Sequence, residues 1–316
     1  MENSRGRRAA ARTRPLTFAM PQASVIIPMY NSAATAARAI ESALAQTIGE
    51  LEVVCVDDGS KDASARLARG YDDRVRVIVQ SNRGPSAARN AGARASSGEL
   101  IAFLDADDIL RPTMLARCAD ELRANREAVL AYTDAEIIDA SSGILRTSIA
   151  GAGRAHAPAM EDLLARLWPI VPSTAVMRRS AFDAAGRWCE ALRSCEDVYF
   201  WLLMRERGPF CYIADPLAAK TEDQLFPKVL ERDIGAREFA RRVRERYGAR
   251  AGGLLRDFRR MKARLLERCG AEAMRAGHSR DARRCFAHAI AYQPARMRNY
   301  VSMLKSFAAS DAGARK

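Results

Sequence analysis

Four short apolar runs, separated by segments of helical character, constrain the fold of this chain more than any other feature. Runs of this length that are rich in β-branched residues are typical of buried strands. Strands that alternate with helices form right-handed crossovers and a mostly parallel sheet, so the sequence predicts an α/β domain. The runs are SVIIPMY (24–30), LEVVCVD (51–57), VRVIVQ (75–80) and GELIAF (98–103), with predicted helices at 33–46, 63–72 and 84–96.

Polar residues follow three of these predicted strands at the point where each strand ends. Tyr30 and Asn31 follow the first run, Asp57 and Asp58 end the second, and an acidic cluster at 105–108 follows the fourth. In open α/β sheets, ligands bind outside the carboxyl ends of the strands. We therefore expect a ligand site at this edge of the sheet.

The second half of the chain contains fewer strand signals and more helix. AVLAYTDAEIID (128–139) predicts a strand, and residues 141–160, rich in Gly, Ser and Ala, predict a loop. TAVMRRSAF and CYIADPL are further strand candidates around a helix that follows Glu196 and Asp197. From about residue 228 the pattern is helical. The predicted division is a disordered basic leader (1–20), a catalytic α/β domain (21–227) and a basic α-helical region (228–316).

Composition argues against several other classes of protein. The seven cysteines are odd in number and form no CxxC pair, which favours reduced thiols in the cytoplasm over a disulfide framework or a zinc site. The three histidines are too scattered for a histidine metal site. No apolar run approaches the ~18 residues that span a bilayer. The arginine-rich start lacks the apolar stretch of a signal peptide.

The segment LDADD places two aspartates, Asp105 and Asp107, one residue apart at the end of a predicted strand. An Asp-x-Asp pair in a turn there can present oxygens to one Mg²⁺ or Mn²⁺ ion, which also favours water and phosphate oxygens. Such a cation stabilises a leaving group on which negative charge grows as a bond breaks, for example the diphosphate that departs from a nucleotide sugar. The pair alone is weak support for a metal site, because acidic turns are common.

Six motifs in a fixed order strengthen this interpretation. Together they resemble the inverting family 2 glycosyltransferases, over roughly residues 22–217. The resemblance implies the GT-A fold of nucleotide-diphospho-sugar transferases, which is Rossmann-like with a mostly parallel sheet, followed here by an α-helical C-terminal region. The motifs are SVIIPMYN, VVCVDDGS, NRGPSAARNAG, GELIAFLDADD, VPSTAVMRRSAFDAAGRW and SCEDVYFWLLM.

The resemblance implies a nucleotide-sugar donor, in this family most often a UDP-sugar; dTDP and GDP donors stay open. Asp58 matches the carboxylate that accepts a hydrogen bond from the base edge, with Asp57 as its neighbour. The GPSAARN turn, with Arg89 and Asn90, would line the donor pocket. Residues expected beside the base and ribose are Pro28, Tyr30 and Asn31.

The resemblance also implies the reacting groups. Asp107 matches the main ligand of a divalent metal, Mn²⁺ or Mg²⁺, with Asp105 near the ribose and the metal-bound waters. Asp197 matches the general base, with Glu196 as its supporting neighbour. Asp197 would take the proton from an acceptor hydroxyl that attacks the anomeric carbon, and one displacement inverts the configuration. Read alone, Glu196 and Asp197 also fit an acidic pair that is stabilised by a helix N-terminus.

One segment departs from the family pattern. Many members carry an Arg-x-His motif near the end of the domain, whereas this chain has Lys220, Thr221 and Glu222. Lys220 is a candidate donor-site residue that would hold phosphate as a point charge, and Glu222 would replace the missing ligand. The alternatives are that this loop aligns differently or that activity is weak or lost.

Aromatic residues and the C-terminal pattern give further expectations. Of the three tryptophans, Trp168 is the best candidate for a sugar-stacking platform, and Trp201 is expected in the core. Residues 269–295 resemble one tetratricopeptide repeat unit, although such arrays usually need about three. The two readings of this region are a helical extension that packs on the catalytic domain and a docking element. The residues that carry the repeat spacing are Gly270, Gly277, Ala282, Phe286, Ala289 and Pro294.

Charge is concentrated at the two ends of the chain. Of the net charge of +13, residues 1–20 contribute +4 and residues 228–316 contribute +14, which leaves −5 for residues 21–227. A basic region suggests an anionic partner such as membrane lipid, and the alternative is an ordinary solvated helix surface. We expect a cytoplasmic protein whose region 228–316 contacts the inner face of the membrane or a partner protein.

These observations predict a metal-dependent, inverting glycosyltransferase of hexosyltransferase type. It would move a sugar from a nucleotide sugar to a hydroxyl of a glycan or lipid-linked acceptor, in cell-surface or exported polysaccharide synthesis. One alternative is a catalytically inactive relative that acts as a scaffold through its basic helical region. A polyanion-binding protein, suggested by charge alone, ranks last because no basic motif with interleaved aromatic residues supports specific nucleic-acid binding.

Overall fold

The computed structural model describes residues 22–71, 73–139, 141, 143–148, 170–222 and 235–313, with side chains to residue 306. The strands are β1 (Ala23–Met29), β2 (Leu51–Asp57), β3 (Val75–Val79), β4 (Leu100–Phe103), β5 (Ile109–Leu110), β6 (Leu130–Ile138), β7 (Ile144–Arg146), β8 (Ala175–Arg178) and β9 (Phe210–Thr221). The helices are α1 (Ala36–Leu44), α2 (Ser64–Ala68), α3 (Pro85–Ala95), α4 (Met114–Ala124), α5 (Arg179–Ala184), α6 (Glu196–Arg205), α7 (Ala236–Tyr247), α8 (Ala251–Arg275), α9 (Ser279–Tyr292) and α10 (Met297–Gly313).

The described strands form one sheet in the order β3-β2-β1-β4-β8-β6-β9-β5, with β7 added to β6. The first four strands of this order are parallel, as are β6 and β9. Strand β8 runs antiparallel between β4 and β6, and β5 runs antiparallel to β9. The predicted α/β fold with a mostly parallel sheet is confirmed. The antiparallel strands in its second half were not predicted, because strand direction there depends on long-range pairing.

Both faces of β1, β2 and β4 are buried, which explains their nearly continuous apolar sequences. Ile26 and Val54 face one core cluster, whereas Ile27 and Val53 face the other. Helix α3 packs very close to the sheet because Gly92 has no side chain. A Cβ atom at Gly92 would lie only 2.4 Å from Ile26 Cγ2. This close approach holds α3 beside the strand ends at which the polar residues lie.

The C-terminal helices divide into a part that shares the central core and a hairpin beyond it. Phe239 of α7 and Phe258 of α8 belong to the same buried cluster as Phe200 of α6. Further along, α8 and α9 pack as a helical hairpin in which a Cβ atom at Gly270 would lie 2.7 Å from the Phe286 ring. The hairpin confirms helix in this region, but its identity as a tetratricopeptide unit is not confirmed. Among the described residues, no helix combines the length and apolar character that crossing a bilayer requires.

Candidate functional site

A cavity of about 940 Å³ lies at the carboxyl ends of the parallel strands, where the sequence predicts the ligand site. The N-terminus of α6 and the end of β9 complete its wall. Its lining includes most of the predicted site residues, although they are up to 192 positions apart in the sequence. The predicted residues that line it are Pro28, Tyr30, Asn31, Asp58, Arg89, Asp105, Asp107, Glu196, Asp197 and Lys220.

Two loops, one after β1 and one after β2, are tied together at the mouth of the cavity. Asn31 has a left-handed backbone with φ 50°, and its Oδ1 accepts a hydrogen bond from Lys61 N at 2.9 Å. Asn31 N in turn donates to Ser60 Oγ at 2.9 Å, and Ala33 N donates to Asp62 Oδ2 at 2.9 Å. These bonds leave the neighbouring Tyr30 side chain 49% exposed at the cavity, where a planar ligand has room to stack.

Asp58 is buried and shapes the loop that leads into α3. Its Oδ1 accepts hydrogen bonds from Gln80 Nε2 at 2.7 Å and Arg83 N at 2.9 Å, and its Oδ2 accepts one from Gly84 N at 2.7 Å. Gly84 has φ +91°, a conformation that glycine adopts readily, and it lets the chain turn into the helix. Because a carboxylate oxygen can accept more than one hydrogen bond, Oδ2 retains capacity for a ligand donor.

Two predicted donor-site residues, Asp57 and Asn90, do not line the cavity. Asp57 Oδ2 accepts a hydrogen bond from Ser60 N at 3.3 Å, and its Oδ1 is buried with no hydrogen-bond partner among the described residues. The Asn90 side chain makes paired bonds with Trp188, donating to Trp188 O at 2.9 Å and accepting from Trp188 N at 3.0 Å. Asn90 therefore joins α3 to the segment before α6 and supports the site from behind.

Arg89 is a buried cation between Asp105 of the acidic turn and Glu196 of α6. Its Nη2 donates to Asp105 Oδ1 at 2.7 Å, and its Nη1 lies 3.7 Å from Glu196 Oε1. The guanidinium carbon lies 4.7 Å from the centre of the Trp188 ring, within the range of a cation–π contact. Burial alone lowers the pKa of Arg89, but the charges of Asp105, Glu196 and Asp197 outweigh it and raise this pKa above its ordinary value.

The acidic turn after β4 divides its carboxylates between the cavity and the interior. Asp105 and Asp107 line the cavity, whereas Asp108 is fully buried. Asp108 accepts hydrogen bonds from Ser173 Oγ at 2.6 Å and Thr221 N at 3.0 Å. Burial raises the pKa of the Asp108 carboxyl; Lys220 opposes this, and Asp105 and Asp107 reinforce it. Asp108 therefore anchors the turn to β9 and sets the position of Asp107.

Lys220 lies close to this turn, at the end of β9. Its Nζ is 3.7 Å from Asp108 Oδ2, and its side chain is 30% exposed and lines the cavity. The hydroxyl of the next residue, Thr221, donates to the Asp107 carbonyl oxygen. Glu222 forms an ion pair with Arg146 at 3.2 Å at the same edge. The segment that departs from the family motif is thus part of the cavity wall.

Helix α6 presents its first two residues, Glu196 and Asp197, to the cavity. Cys195, which precedes the helix, has a left-handed backbone with φ 59° that turns the chain into it. Asp197 Oδ1 accepts a hydrogen bond from Val198 N at 2.7 Å, and the helix N-terminus stabilises both negative charges. This stabilisation is compatible with the predicted role of Asp197 as a general base, because a general base must be ionised to accept a proton.

The oxygen-rich turn suits a hard divalent cation. Asp107 and Asp105 are the carboxylates that reach the cavity from this turn. The described residues contain no group of three or more His, Cys, Asp or Glu side chains placed to hold a metal ion on their own. Mg²⁺ is commonly held by one or two carboxylates together with substrate phosphates and water. The residues present fit such a shared site.

The tryptophans are used for packing wherever the structure describes them. Trp188 is buried and stacks on Phe200 with ring centres 4.2 Å apart. Trp201 is buried as predicted, and its Nε1 donates to Ile170 O at 2.9 Å. Trp168, the candidate for sugar stacking, lies outside the described residues. Trp188 therefore packs between Arg89 and the buried face of α6, to which Trp201 belongs.

Sequence reasoning missed three residues that shape the site: Asp108, Ser173 and Arg193. The last aspartate of LDADD gave no signal that it is buried. Ser173 lies under the acidic turn, where its hydroxyl donates to Asp108 and accepts from Asp105 N at 3.1 Å. Arg193 lines the cavity and donates to Arg83 O at 3.4 Å. Its position three residues before Glu196 was the available clue.

Comparison with known proteins places the chain among sugar transferases. The family model described as "Glycosyl transferase family 2" matches residues 24–186. A chondroitin synthase from Escherichia coli is 30% identical over 208 residues, which cover 61% of this chain and 28% of that protein. The succinoglycan biosynthesis protein ExoO of Rhizobium meliloti is 42% identical over 134 residues, which cover 42% of this chain and 38% of that protein. The chain thus matches well under half the length of these relatives.

Solved structures support the same fold. The crystal structure of S. aureus TarS 1–349 superimposes with a TM-score of 0.60 at 17% sequence identity, over 90% of this chain and 89% of that chain. TarS 1–349 has also been solved in complex with UDP, with a TM-score of 0.59, and with UDP-GlcNAc, with a TM-score of 0.55. At this level of identity the similarity establishes the fold that carries the cavity.

The Arg89 contacts give a stability prediction. Arg89→Met keeps the length of the side chain but leaves Asp105 and Glu196 facing each other without the cation. We expect a loss of about 3 kcal/mol in the free energy of unfolding, measured by urea denaturation, because a buried ion pair loses one partner. Arg94→Met, an exposed change on the same helix, is the control and should cost less than about 0.5 kcal/mol. Equal stability of the two variants would contradict the role given to Arg89.

Proposed function

Because the chain belongs to glycosyltransferase family 2, we propose that it transfers a sugar from a UDP-sugar to a hydroxyl of a glycan or lipid-linked acceptor with inversion. The observation that carries this proposal is the shared cavity of Asp107 and Asp197. Asp107 would hold the cation that binds the departing diphosphate, and Asp197 would take the proton of the attacking hydroxyl. A direct displacement needs the attacking hydroxyl and the departing diphosphate on opposite sides of the anomeric carbon.

The donor would lie along the ends of β1, β2 and β4. Support for a uridine nucleotide comes from TarS 1–349, which shares the fold and has been solved with UDP and with UDP-GlcNAc. In this chain, the exposed Tyr30 ring would lie beside the base, and Asp58 Oδ2 would accept a hydrogen bond from the base edge. Pro28 and Asn31 line the same part of the cavity and would contact the base and ribose.

The diphosphate would lie between the acidic turn and Lys220. Asp107, with Asp105 beside it, would hold a divalent cation, Mn²⁺ or Mg²⁺, which neutralises the negative charge that develops on the diphosphate. Lys220 would add a point charge to the same oxygens, because its partly exposed side chain lines the cavity. Arg89 would hold Asp105 in place through the 2.7 Å hydrogen bond.

Asp197 would act as the general base from the N-terminus of α6. Its carboxylate would accept the proton of the acceptor hydroxyl as that oxygen attacks the anomeric carbon. Glu196, held near Arg89, would contribute its charge without taking part in the proton transfer. Because the attack and the departure occur on opposite faces of the sugar, the product has the inverted configuration.

The biological setting follows from the similar proteins. A chondroitin synthase and a succinoglycan biosynthesis protein both point to polysaccharide synthesis. We therefore place this chain in the synthesis of a cell-surface or exported glycan, on the cytoplasmic side where nucleotide sugars are made. Its contribution would be the transfer of a sugar by the catalytic domain.

The basic C-terminal region would bring the enzyme to an anionic membrane surface. Region 228–316 carries a net charge of +14. Helix α10 exposes an apolar stripe at helical spacing, formed by Met297, Val301 and Leu304, with the exposed Arg298 and Lys305 beside it. A helix with apolar and basic faces binds at the interface of anionic membranes. A lipid-linked acceptor would be reached from that position.

Donor turnover tests the enzymatic proposal. A panel of UDP-, dTDP- and GDP-sugars is incubated with the protein and Mn²⁺ or EDTA, and free nucleoside diphosphate is measured. We expect one donor to release its nucleoside diphosphate only when metal is present. Asp107→Ala should reduce that release at least about 100-fold. With a sugar acceptor, Asp197→Asn should lower kcat by about 100-fold or more because the base is lost.

Asp120→Asn, an exposed change on α4, is the control and should leave turnover at the wild-type rate. If no donor is turned over and none raises the melting temperature, the chain is an inactive relative. The scaffold interpretation through the helical region would then replace the enzymatic one.

Membrane contact is tested by sedimentation of the whole protein with lipid vesicles. Binding is expected with phosphatidylserine-containing vesicles, absent with pure phosphatidylcholine, and weaker at higher salt because the attraction is partly electrostatic. Leu304→Ser should weaken binding, whereas Ile144→Ser, which is also exposed but lies on β7, should not. Absence of binding to both kinds of vesicle would favour a protein partner for this region.

A further inference from the structure

The first residue of the C-terminal helical region that the structure describes, Gly235, lies directly against the segment that leads into α6. A Cβ atom at Gly235 would lie 2.2 Å from Ser194 Oγ and 3.0 Å from both Ser194 N and Ser194 O. Ser194 is itself buried, with 4% of its surface exposed. Any larger residue at position 235 would therefore displace the chain three residues before Asp197.

A buried lysine from the same region acts on this segment through its charge. Lys262 is in the middle of α8 and only 3% exposed. Burial raises the pKa of the Cys195 thiol to about 11; the charge of Lys262 opposes this shift, while Asp197 and Glu196 add to it. Cys195 also packs against the core cluster that contains Met261, the neighbour of Lys262. The helix that carries Lys262 therefore supports the turn into α6.

Aromatic and ionic contacts extend this support along α6. The Tyr199 ring meets Phe239 of α7 edge to face, with centres 6.2 Å apart, and Phe239 stacks on Phe258 of α8 at 4.2 Å. At the other end of α6, Arg246 donates to Glu206 at 2.6 Å. Helix α6 is therefore held near both of its ends by α7, which in turn packs on α8.

We propose that α7 and α8 act as a buttress that fixes the position of Asp197, with Gly235 and Lys262 as its positioning residues. The inference rests on the proposed function, because it takes Asp197 to be the general base. The backbone of Cys195 is left-handed, which is uncommon for a residue other than glycine, so contacts from outside must hold this turn. The helical region then belongs to the catalytic unit and is more than a tether.

The contacts of the buttress lead to different expectations for the affinity of UDP and for the rate of sugar transfer. UDP would bind at the strand ends and the acidic turn, which α7 and α8 do not form, so its affinity should not depend on the buttress. The rate of transfer should depend on it, because a displacement of about 1 Å in a reacting group lowers rates by about 100-fold. A purely structural role would instead reduce stability, UDP binding and turnover together.

The experiment compares Gly235→Ala and Lys262→Met with two matched controls in the full-length protein. Gly253→Ala makes the same change at an open position of α8, and Arg259→Met removes an exposed cation one turn from Lys262. Three quantities are measured: the Kd of UDP with Mn²⁺, kcat with the donor that the panel identifies, and amide hydrogen exchange of residues 193–198. Lys262→Arg tests rescue of the charge.

We expect Gly235→Ala and Lys262→Met to lower kcat by about ten- to a hundredfold with an unchanged Kd for UDP. Amide exchange at 193–198 should become faster in both variants and in neither control, and Lys262→Arg should retain most of the kcat. The exchange measurement needs no turnover, so it decides the matter even if every donor is inert.

Two outcomes separate the failure of this inference from the failure of the proposed function. If Asp197→Asn is inactive while Gly235→Ala and Lys262→Met keep wild-type kcat and exchange, the buttress does not position the base. If Asp197→Asn is fully active, the base has been assigned to the wrong residue. Parallel loss of UDP binding and of turnover in the two buttress variants would reduce their role to general stability and overturn the inference.

Discussion

The buried guanidinium of Arg89 is the contact on which the arrangement of the site depends. It joins the acidic turn after β4, through Asp105, to the N-terminus of α6, through Glu196. Without a cation between them, carboxylates this close would repel each other and one of them would tend to take up a proton. Helix α3 can place that cation only because Gly92 lets it pack tightly on the sheet. The close packing of one helix thus fixes the charge balance of the whole cavity.

The first half of the fold could be predicted because its signals are local. Each buried strand, turn and helix from 23 to 103 has its own sequence pattern, and parallel crossovers have a fixed hand. The second half could not be predicted to the same degree, since the antiparallel pairing of β8 with β4 and β6 joins segments that no local pattern connects. The candidate TAVMRRSAF is a strand only as far as Arg178, where its pairing with β4 ends, and it then continues as α5.

Prediction of the site from the sequence was limited in the same way, by contacts between distant segments. Most of the residues predicted from the motifs do line the cavity, because the motifs lie at the strand ends and at the start of α6. It could not indicate that Asn90 would pair with the backbone of Trp188, or that Asp108 would be buried beneath Ser173. Both depend on contacts across at least 65 positions of sequence. Two readings of the C-terminal helices were open from the sequence, and the core that Phe239 and Phe258 share with α6 favours a helical extension that packs on the catalytic domain.

The central claim is that the carboxylates of the acidic turn and of α6 serve one donor in one cavity. The most direct test is a crystal structure of the protein with UDP and Mn²⁺, with the metal located by anomalous scattering. The account predicts Mn²⁺ bound to Asp107 and to the diphosphate, the uracil beside Tyr30 and Asp58, and Asp197 across the space left for the sugar. A nucleotide bound elsewhere, or a metal that does not contact Asp107, would contradict it.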